Sequence, residues 1–179
     1  VLSRGAMRGV CETYMSAAQA TQYAVELEQN GDGRMYHAAG ERTTNNTGCA
    51  LLIPSKVPKA QDEKVVYRRK DGKALGVHLT WMGRKLLVLV THAYAGTEDT
   101  KKEEFFETVL EELYEAYRNP DVDGVFGERE CIWMSDDNFI DDPLKDVVPA
   151  GKGKVCELAR DAASSLARAV GATVDIYRW

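Results

Sequence analysis

The stretch Ile132–Asp146 reads IWMSDDNFIDDPLKD. It begins as a short apolar run, which predicts a buried strand, and it continues into a segment that carries five carboxylates and one amide. A loop that leaves a rigid strand end can hold several oxygen ligands around one point, and hard divalent cations are bound in this way. The alternative interpretation is an acidic surface turn, because runs of charge are usually solvated.

Length and composition indicate a single globular domain over residues 1–179. The hydrophobic share of 44% and the charged share of 28% are ordinary for such a domain, and no internal repeat interrupts the chain. No apolar run approaches the roughly 20 residues of a membrane helix, so we expect no membrane partner. The four cysteines are far apart and lack a C-x-x-C pair, which argues against zinc and favours reduced core residues. The net charge of −5 neither favours nor excludes a nucleic-acid partner.

Three amphipathic helices are predicted, over residues 16–30, 100–118 and about 153–170. The first two begin with the capping-box pattern, in which Gln or Glu follows Ser or Thr by three residues. The pairs are Ser16 with Gln19 and Thr100 with Glu103.

Short apolar or alternating runs predict strands at residues 7–11, 35–38, 47–53, 75–81, 86–91 and 131–134, the last of them central. The charged stretch Tyr67–Lys70 is interpreted as a hairpin loop. Strands with interspersed helices and at least one hairpin favour an α/β (α+β) class with mixed or antiparallel sheets and outer helices. A parallel doubly wound fold fits this pattern less well.

Polar side chains stand where three of these strands end: Glu12, His92, and the pair Asp136 and Asn138. Residues at strand ends of a rigid sheet are well placed to converge on one cleft. Glu12 and Asp136 would offer two carboxylates to one ion, the sparse ligation typical of Mg²⁺. Asn138 could orient a phosphate oxygen or an attacking water, and His92 could donate to a developing phosphate charge. A single histidine at a strand end is, however, more often structural.

Five segments of the chain resemble motifs of one known protein family. Ser135–Asp146 resembles G-D-F-N-x-x-x-D-P-x-x-D, and Val10–Thr13 is similar to a Q-E-T motif. Leu87–Ala95 is similar to a strand that ends in (Y/H)-A-P-N, Gly48–Leu52 to a G-V-A-hydrophobic strand, and Val174–Arg178 to L-V-D-x-(Y/W)-R. The family is the endonuclease/exonuclease/phosphatase superfamily. The endonuclease domains of LINE-type retroelements, which accompany a reverse transcriptase, are the closest in look.

The resemblance implies a four-layered α/β sandwich of two mostly antiparallel sheets, packed face to face, with outer helices. It implies a hydrolase that cleaves a phosphodiester or phosphomonoester with an activated water and Mg²⁺ or Mn²⁺, and it implies DNA as the partner. Glu12 and Asp136 would be the metal ligands. Asp136 and Asn138 would hold the attacking water and the scissile phosphate, and His92 would contact that phosphate, so these three are the implied catalytic residues.

Two motifs of the family have no counterpart in residues 1–179, namely the Asn of its first strand and the S-D-H of its last strand. We therefore expect a domain truncated at both ends, without those strands. Three functions stay open. The chain is a retroelement DNA endonuclease domain that truncation weakens or inactivates, a non-catalytic remnant that binds nucleic acid or a protein, or an enzyme for a small phosphoester. The expected location is intracellular, and nuclear if the chain derives from a retroelement.

Overall fold

The computed structural model describes residues 6–40, 48–94, 99–122, 124–136 and 156–171. Within these ranges the helices are α1 (Ala17–Gln29), α2 (Asp99–Arg118) and α3 (Glu157–Ala169). The strands are β1 (Arg8–Val10), β2 (Gly33–Ala38), β3 (Cys49–Pro54), β4 (Lys64–Arg68), β5 (Ala74–Trp81), β6 (Arg84–His92) and β7 (Glu130–Asp136).

The strands form two sheets, ordered β1-β3-β2 and β4-β5-β6-β7. Every described pairing is antiparallel except that of β6 with β7. Because successive side chains of a strand point to opposite faces, each strand can serve two cores. In β3, Leu51 and Ile53 face the other sheet, whereas Ala50 and Leu52 face α1.

The molecule is built in four layers, which confirms the expected sandwich. A core between the two sheets contains Leu51, Ile53, Leu75, Val77, Val88 and Val90. Helices α2 and α3 pack on the outer face of the four-stranded sheet through Phe105, Phe106, Val109, Leu113 and Leu166. Helix α1 covers the three-stranded sheet with Ala20 and Leu27. No helix in the described ranges is long and apolar enough to cross a membrane.

The parallel pair β6 and β7 determines where the polar strand ends lie. Their register runs from Leu86 opposite Glu130 to His92 opposite Asp136. Parallel strands need a crossover connection, and α2 lies between these two strands in the chain. Both strands therefore end at the same edge of the sheet.

The predicted capping box of α1 is confirmed. The backbone N–H of Gln19 donates to Ser16 Oγ at 3.3 Å, and the backbone N–H of Ser16 donates to Gln19 Oε1 at 2.9 Å. The second predicted capping box is wrong, because α2 already includes Asp99 and Thr100 lies inside the helix. Asp99 instead accepts hydrogen bonds from the backbone N–H groups of Leu158 and Ala159 at the start of α3.

Two strand predictions also need correction. Tyr67 and Arg68 belong to β4 and not to a hairpin loop, which begins only after them. The strand predicted as central, residues 131–134, is the last in the order of the described four-stranded sheet. Helix α3 begins at Glu157, and the predicted start at residues 153–155 lies outside the described residues.

Candidate functional site

His92 and Asp136 lie side by side at the ends of β6 and β7. They face each other in the register of the two strands, and the backbone N–H of Ala93 donates to the carbonyl oxygen of Asp136 at 2.9 Å. Val90 and Met134, two residues earlier, contribute to the core between the sheets. Since side chains alternate along a strand, His92 and Asp136 lie on that same inner face, towards the opposing sheet.

Glu12 reaches this edge from the opposing sheet, two residues after the end of β1. Its Oε1 atom lies 3.7 Å from His92 Nε2, and about half of its side chain is exposed. The preceding residue ties the two sheets together, because the Cys11 thiol donates to the carbonyl oxygen of Thr91 at 3.3 Å. The structure therefore brings together three of the four residues predicted from the sequence. The fourth, Asn138, lies outside the described residues.

The His92 ring is buried, and neither ring nitrogen has a hydrogen-bond partner among the described residues. Burial lowers the pKa of His92 from its usual 6.5, and the nearby charge of Lys73 lowers it further. The carboxylates of Asp136 and Glu12 act in the opposite direction. The ring is thus neutral at pH 7 and keeps one N–H donor for a ligand.

Lys73 is a further member of this site, and sequence reasoning missed it. Its carbonyl oxygen accepts from the His92 backbone N–H at 2.8 Å, and its Nζ atom lies 4.8 Å from the centre of the Tyr94 ring. Lys73 as a whole residue is 8% exposed, and it forms no ion pair with any residue that the structure describes. Burial lowers the pKa of Lys73, and Asp71 and Glu12 among other groups oppose this shift.

The carboxylate closest to Lys73 in sequence is already bound by other groups. Asp71 accepts from Arg69 Nε and from the Tyr94 hydroxyl, both at 2.9 Å, and from the Lys73 backbone N–H at 3.0 Å. Among the residues that the structure describes, the Lys73 ammonium therefore has no direct counter-charge, in a place where an unpaired cation is costly. An anionic ligand beside His92 would supply that charge.

The donor set fits a sparsely ligated divalent cation. The charges of Glu12 and Asp136 both shift the pKa of the His92 ring and that of the Cys11 thiol, so the two carboxylates lie near the same two groups. Among the described residues, no three His, Cys, Asp or Glu side chains are grouped closely enough to hold a metal by themselves. Mg²⁺ does not need three, since it is usually bound by one or two carboxylates together with water and substrate phosphate.

Comparison with solved structures shows the fold. The chain is similar to the AP endonuclease LMAP from Leishmania major, with a TM-score of 0.55 and 12% identity over 92% of this chain and 57% of that chain. It is similar to an AP endonuclease from Archaeoglobus fulgidus, with a TM-score of 0.53 and 18% identity over 90% of this chain and 59% of that chain. The similarity to humanized D. rerio TDP2 is weaker, with a TM-score of 0.47 and 13% identity over 83% and 57% of the two chains.

These likenesses show that the chain has the endonuclease/exonuclease/phosphatase-type fold. The chain spans less than three fifths of the length of the two AP endonucleases. No protein-family model matches the sequence, and no curated protein is significantly similar to it.

Proposed function

We propose that this chain is a metal-dependent phosphodiesterase domain that cleaves DNA, of the kind found in LINE-type retroelements. The observation that carries the proposal is the convergence of Glu12, His92 and Asp136 at one edge of the sandwich. The fold shared with two AP endonucleases supports the reaction class. The order of the sequence motifs supports the retroelement origin.

Two hydrogen-bond donors of the proposed site, His92 and Lys73, would bind the scissile phosphate. His92 offers a neutral ring whose nitrogens have no partner among the described residues, and Lys73 offers a buried ammonium without an ion pair there. Hydrogen bonds to a charged group are stronger than neutral ones, particularly where water is excluded. Together the two side chains would orient the phosphate and stabilise the negative charge that grows on it during cleavage.

The acidic half of the proposed site would hold the metal. Glu12 and Asp136 are the residues that would bind Mg²⁺ or Mn²⁺, which would contribute positive charge and lower the pKa of a bound water. Asp136 is held in place by its strand, since its carbonyl oxygen is bonded to the Ala93 N–H. A carboxylate on a strand end is positioned more accurately than one on a free loop.

A plasmid-nicking assay with Mg²⁺ tests the proposal. Wild type should convert supercoiled plasmid to the open circle, and Glu12→Ala or Asp136→Ala should slow this by about 100-fold or more. Glu107→Ala is the matched control, because Glu107 is an exposed carboxylate on α2. It should nick at the wild-type rate.

The other outcomes of this assay separate the alternatives. Equal background in all four proteins would contradict the nuclease proposal, and retained DNA binding would then favour a non-catalytic remnant of the fold. Hydrolysis of a small phosphoester without nicking would contradict the DNA substrate but keep the chemistry. Nicking at the wild-type rate with EDTA present from the start would contradict the metal dependence.

A further inference from the structure

The segment Glu12–Tyr14 has an unusual backbone. Glu12 has φ +55° and Tyr14 has φ +51°, and Met82 is the only other non-glycine residue with a positive φ in the described part of the chain. Residues other than glycine adopt this left-handed region at a cost, and they stay in it only when their surroundings hold them there. Contacts from the surroundings must therefore hold the segment Glu12–Tyr14 in this conformation.

Thr13, between the two strained residues, is fixed at both its backbone and its side chain. Its backbone N–H donates to the carbonyl oxygen of Gly48 at 3.0 Å. Its hydroxyl lies 2.7 Å from His37 Nε2, in a part-buried hydrogen bond. With both groups bound, rotation of the flanking residues towards ordinary φ values would break at least one of these bonds.

The space around this bond admits no side chain at Gly48, the residue just before β3. A Cβ atom added to Gly48 would lie 2.4 Å from Thr13 Oγ1, 2.6 Å from His37 Nε2 and 2.9 Å from the carbonyl oxygen of Ala38. Such distances are far shorter than van der Waals contact. The absence of a side chain at residue 48 is therefore what lets Thr13 and His37 meet.

His37 is itself held firmly. It lies in β2 opposite Ala50 of β3, and its carbonyl oxygen accepts from Arg68 Nε at 3.0 Å. The ring is half-buried, as expected for a side chain that bridges strand and turn. Its place in a paired strand gives Thr13 a rigid partner.

We propose that His37 is a positioning residue, which acts through the Thr13 hydroxyl to hold Glu12 in the left-handed conformation that directs its carboxylate to His92. This inference rests on the proposed function, because it takes Glu12 as a metal ligand. Groups that orient a metal ligand without touching the metal typically change metal affinity by about 10- to 100-fold when they are removed.

Direct measurement of Mn²⁺ binding, by the electron paramagnetic resonance of free Mn²⁺, tests this role without relying on activity. Thr13→Val and His37→Leu each remove the bond and should raise the Kd by about 10-fold or more. Thr13→Ser keeps the hydroxyl and His37→Gln keeps a nitrogen at the Nε2 position, so both should bind close to wild type. The double variant Thr13→Val/His37→Leu should be no weaker than the worse single variant, because the two residues act through one bond.

His78→Leu is the matched control. His78 is also a strand histidine bonded to a hydroxyl, that of Tyr117, but on α2's side of the other sheet. Its loss should lower the melting temperature and leave the Kd for Mn²⁺ unchanged. If Thr13→Val or His37→Leu does not fold, the folded Thr13→Ala and His37→Ala variants give the same comparison. In every case Thr13→Ser and His37→Gln must bind Mn²⁺ more tightly than the variants that lack the bond.

Two results would overturn the inference, and they differ in what else they remove. If the bond-deleting variants bind Mn²⁺ as tightly as wild type while Glu12→Ala binds weakly, His37 does not position Glu12 and the proposed function stands. If Glu12→Ala also binds Mn²⁺ as tightly as wild type, Glu12 is not a metal ligand. Both the proposed metal site and the role of His37 are then contradicted.

Discussion

Asp136 lies opposite His92 in the parallel pairing of β6 and β7, so the charge of one residue acts on the ring of the other. A second charge, that of Lys73, acts on the same ring from the start of β5 with the opposite sign. The protonation of His92 is therefore set by burial and by a balance between Lys73 on one side and Asp136 and Glu12 on the other.

This balance predicts opposite shifts for two substitutions. Asp136→Asn should lower the pKa of His92, because it removes a carboxylate that favours the charged ring. Lys73→Met should raise it, because it removes a cation that opposes the charged ring. A titration of the His92 ring protons by NMR measures both shifts. If Asp136→Asn does not lower the pKa and Lys73→Met does not raise it, these two charges do not act on the ring.

Lys73 is expected to contribute to substrate binding. Lys73→Met should lower kcat/KM for plasmid nicking by about 10- to 100-fold, since a hydrogen bond to a charged group contributes about 1.5–3 kcal/mol. Lys73→Arg keeps the charge and should retain more activity. Lys85→Met is the control, because Lys85 is an exposed lysine near the opposite end of β6. An equal loss of kcat/KM in Lys85→Met would contradict a specific role of Lys73, because any positive charge of the protein would then act in the same way.

The hairpin between β5 and β6 should accept a stabilising change. Met82 and Gly83 connect the paired residues Trp81 and Arg84, and both have positive φ, +52° and +77°. Two-residue turns of this kind prefer Asn-Gly, because asparagine tolerates the left-handed region better than other non-glycine residues. Met82→Asn should raise the free energy of unfolding by about 1 kcal/mol in urea titrations. Met82→Val, which is β-branched, should lower it.

Stability should fall as the solution is acidified. Burial first, and a nearby positive charge second, lower the pKa values of both His37 and His92 from 6.5. As the pH falls through about 6.5, the unfolded chain therefore takes up protons that the folded chain resists, and unfolding becomes easier. The stabilisation that comes from the two neutral rings is complete above pH 6.5. It is lost as the pH falls towards the lowered pKa values of the rings in the folded protein.

Urea unfolding at a series of pH values measures this effect. His37→Gln should show a smaller loss of stability below about pH 6.5 than wild type, because one of the two rings with a lowered pKa is gone. His92→Gln should remove the share of the pH dependence that comes from the His92 ring. Equal slopes for wild type and both variants would contradict the assignment of the pH dependence to these rings.

Local patterns in the sequence predicted local structure well. The bonds of the capping box join Ser16 to Gln19 within one turn of helix, so three residues of sequence contain all the information. The alternating run that contains Leu75, Val77 and Leu79 likewise predicted β5, and these three side chains lie in the core between the sheets. Strand β4 was missed because its register shifts between Val65 and Tyr67, and such an irregularity breaks the alternation that reveals a strand.

The parts of the site that depend on distant contacts could not be read in the same way. Glu12, His92 and Asp136 could be proposed from the sequence because each lies at the end of a recognisable strand. Lys73 was not, because a lone lysine after Asp71 and Gly72 looks like a solvated turn until other strands close around it. Asp99 likewise serves the start of α3 and not its own helix, a partnership that no spacing within α2 indicates.

The meeting of strand ends that forms the site has a consequence for how the molecule folds. Cys11 and Thr91, which join the two sheets beside the site, are 80 positions apart, and Thr91 and Ser135 beside them are 44 apart. Contacts between distant positions close late, because the chain must lose the entropy of long loops before they form. We expect refolding chains to gain helical structure first and the arrangement of the proposed cation site last.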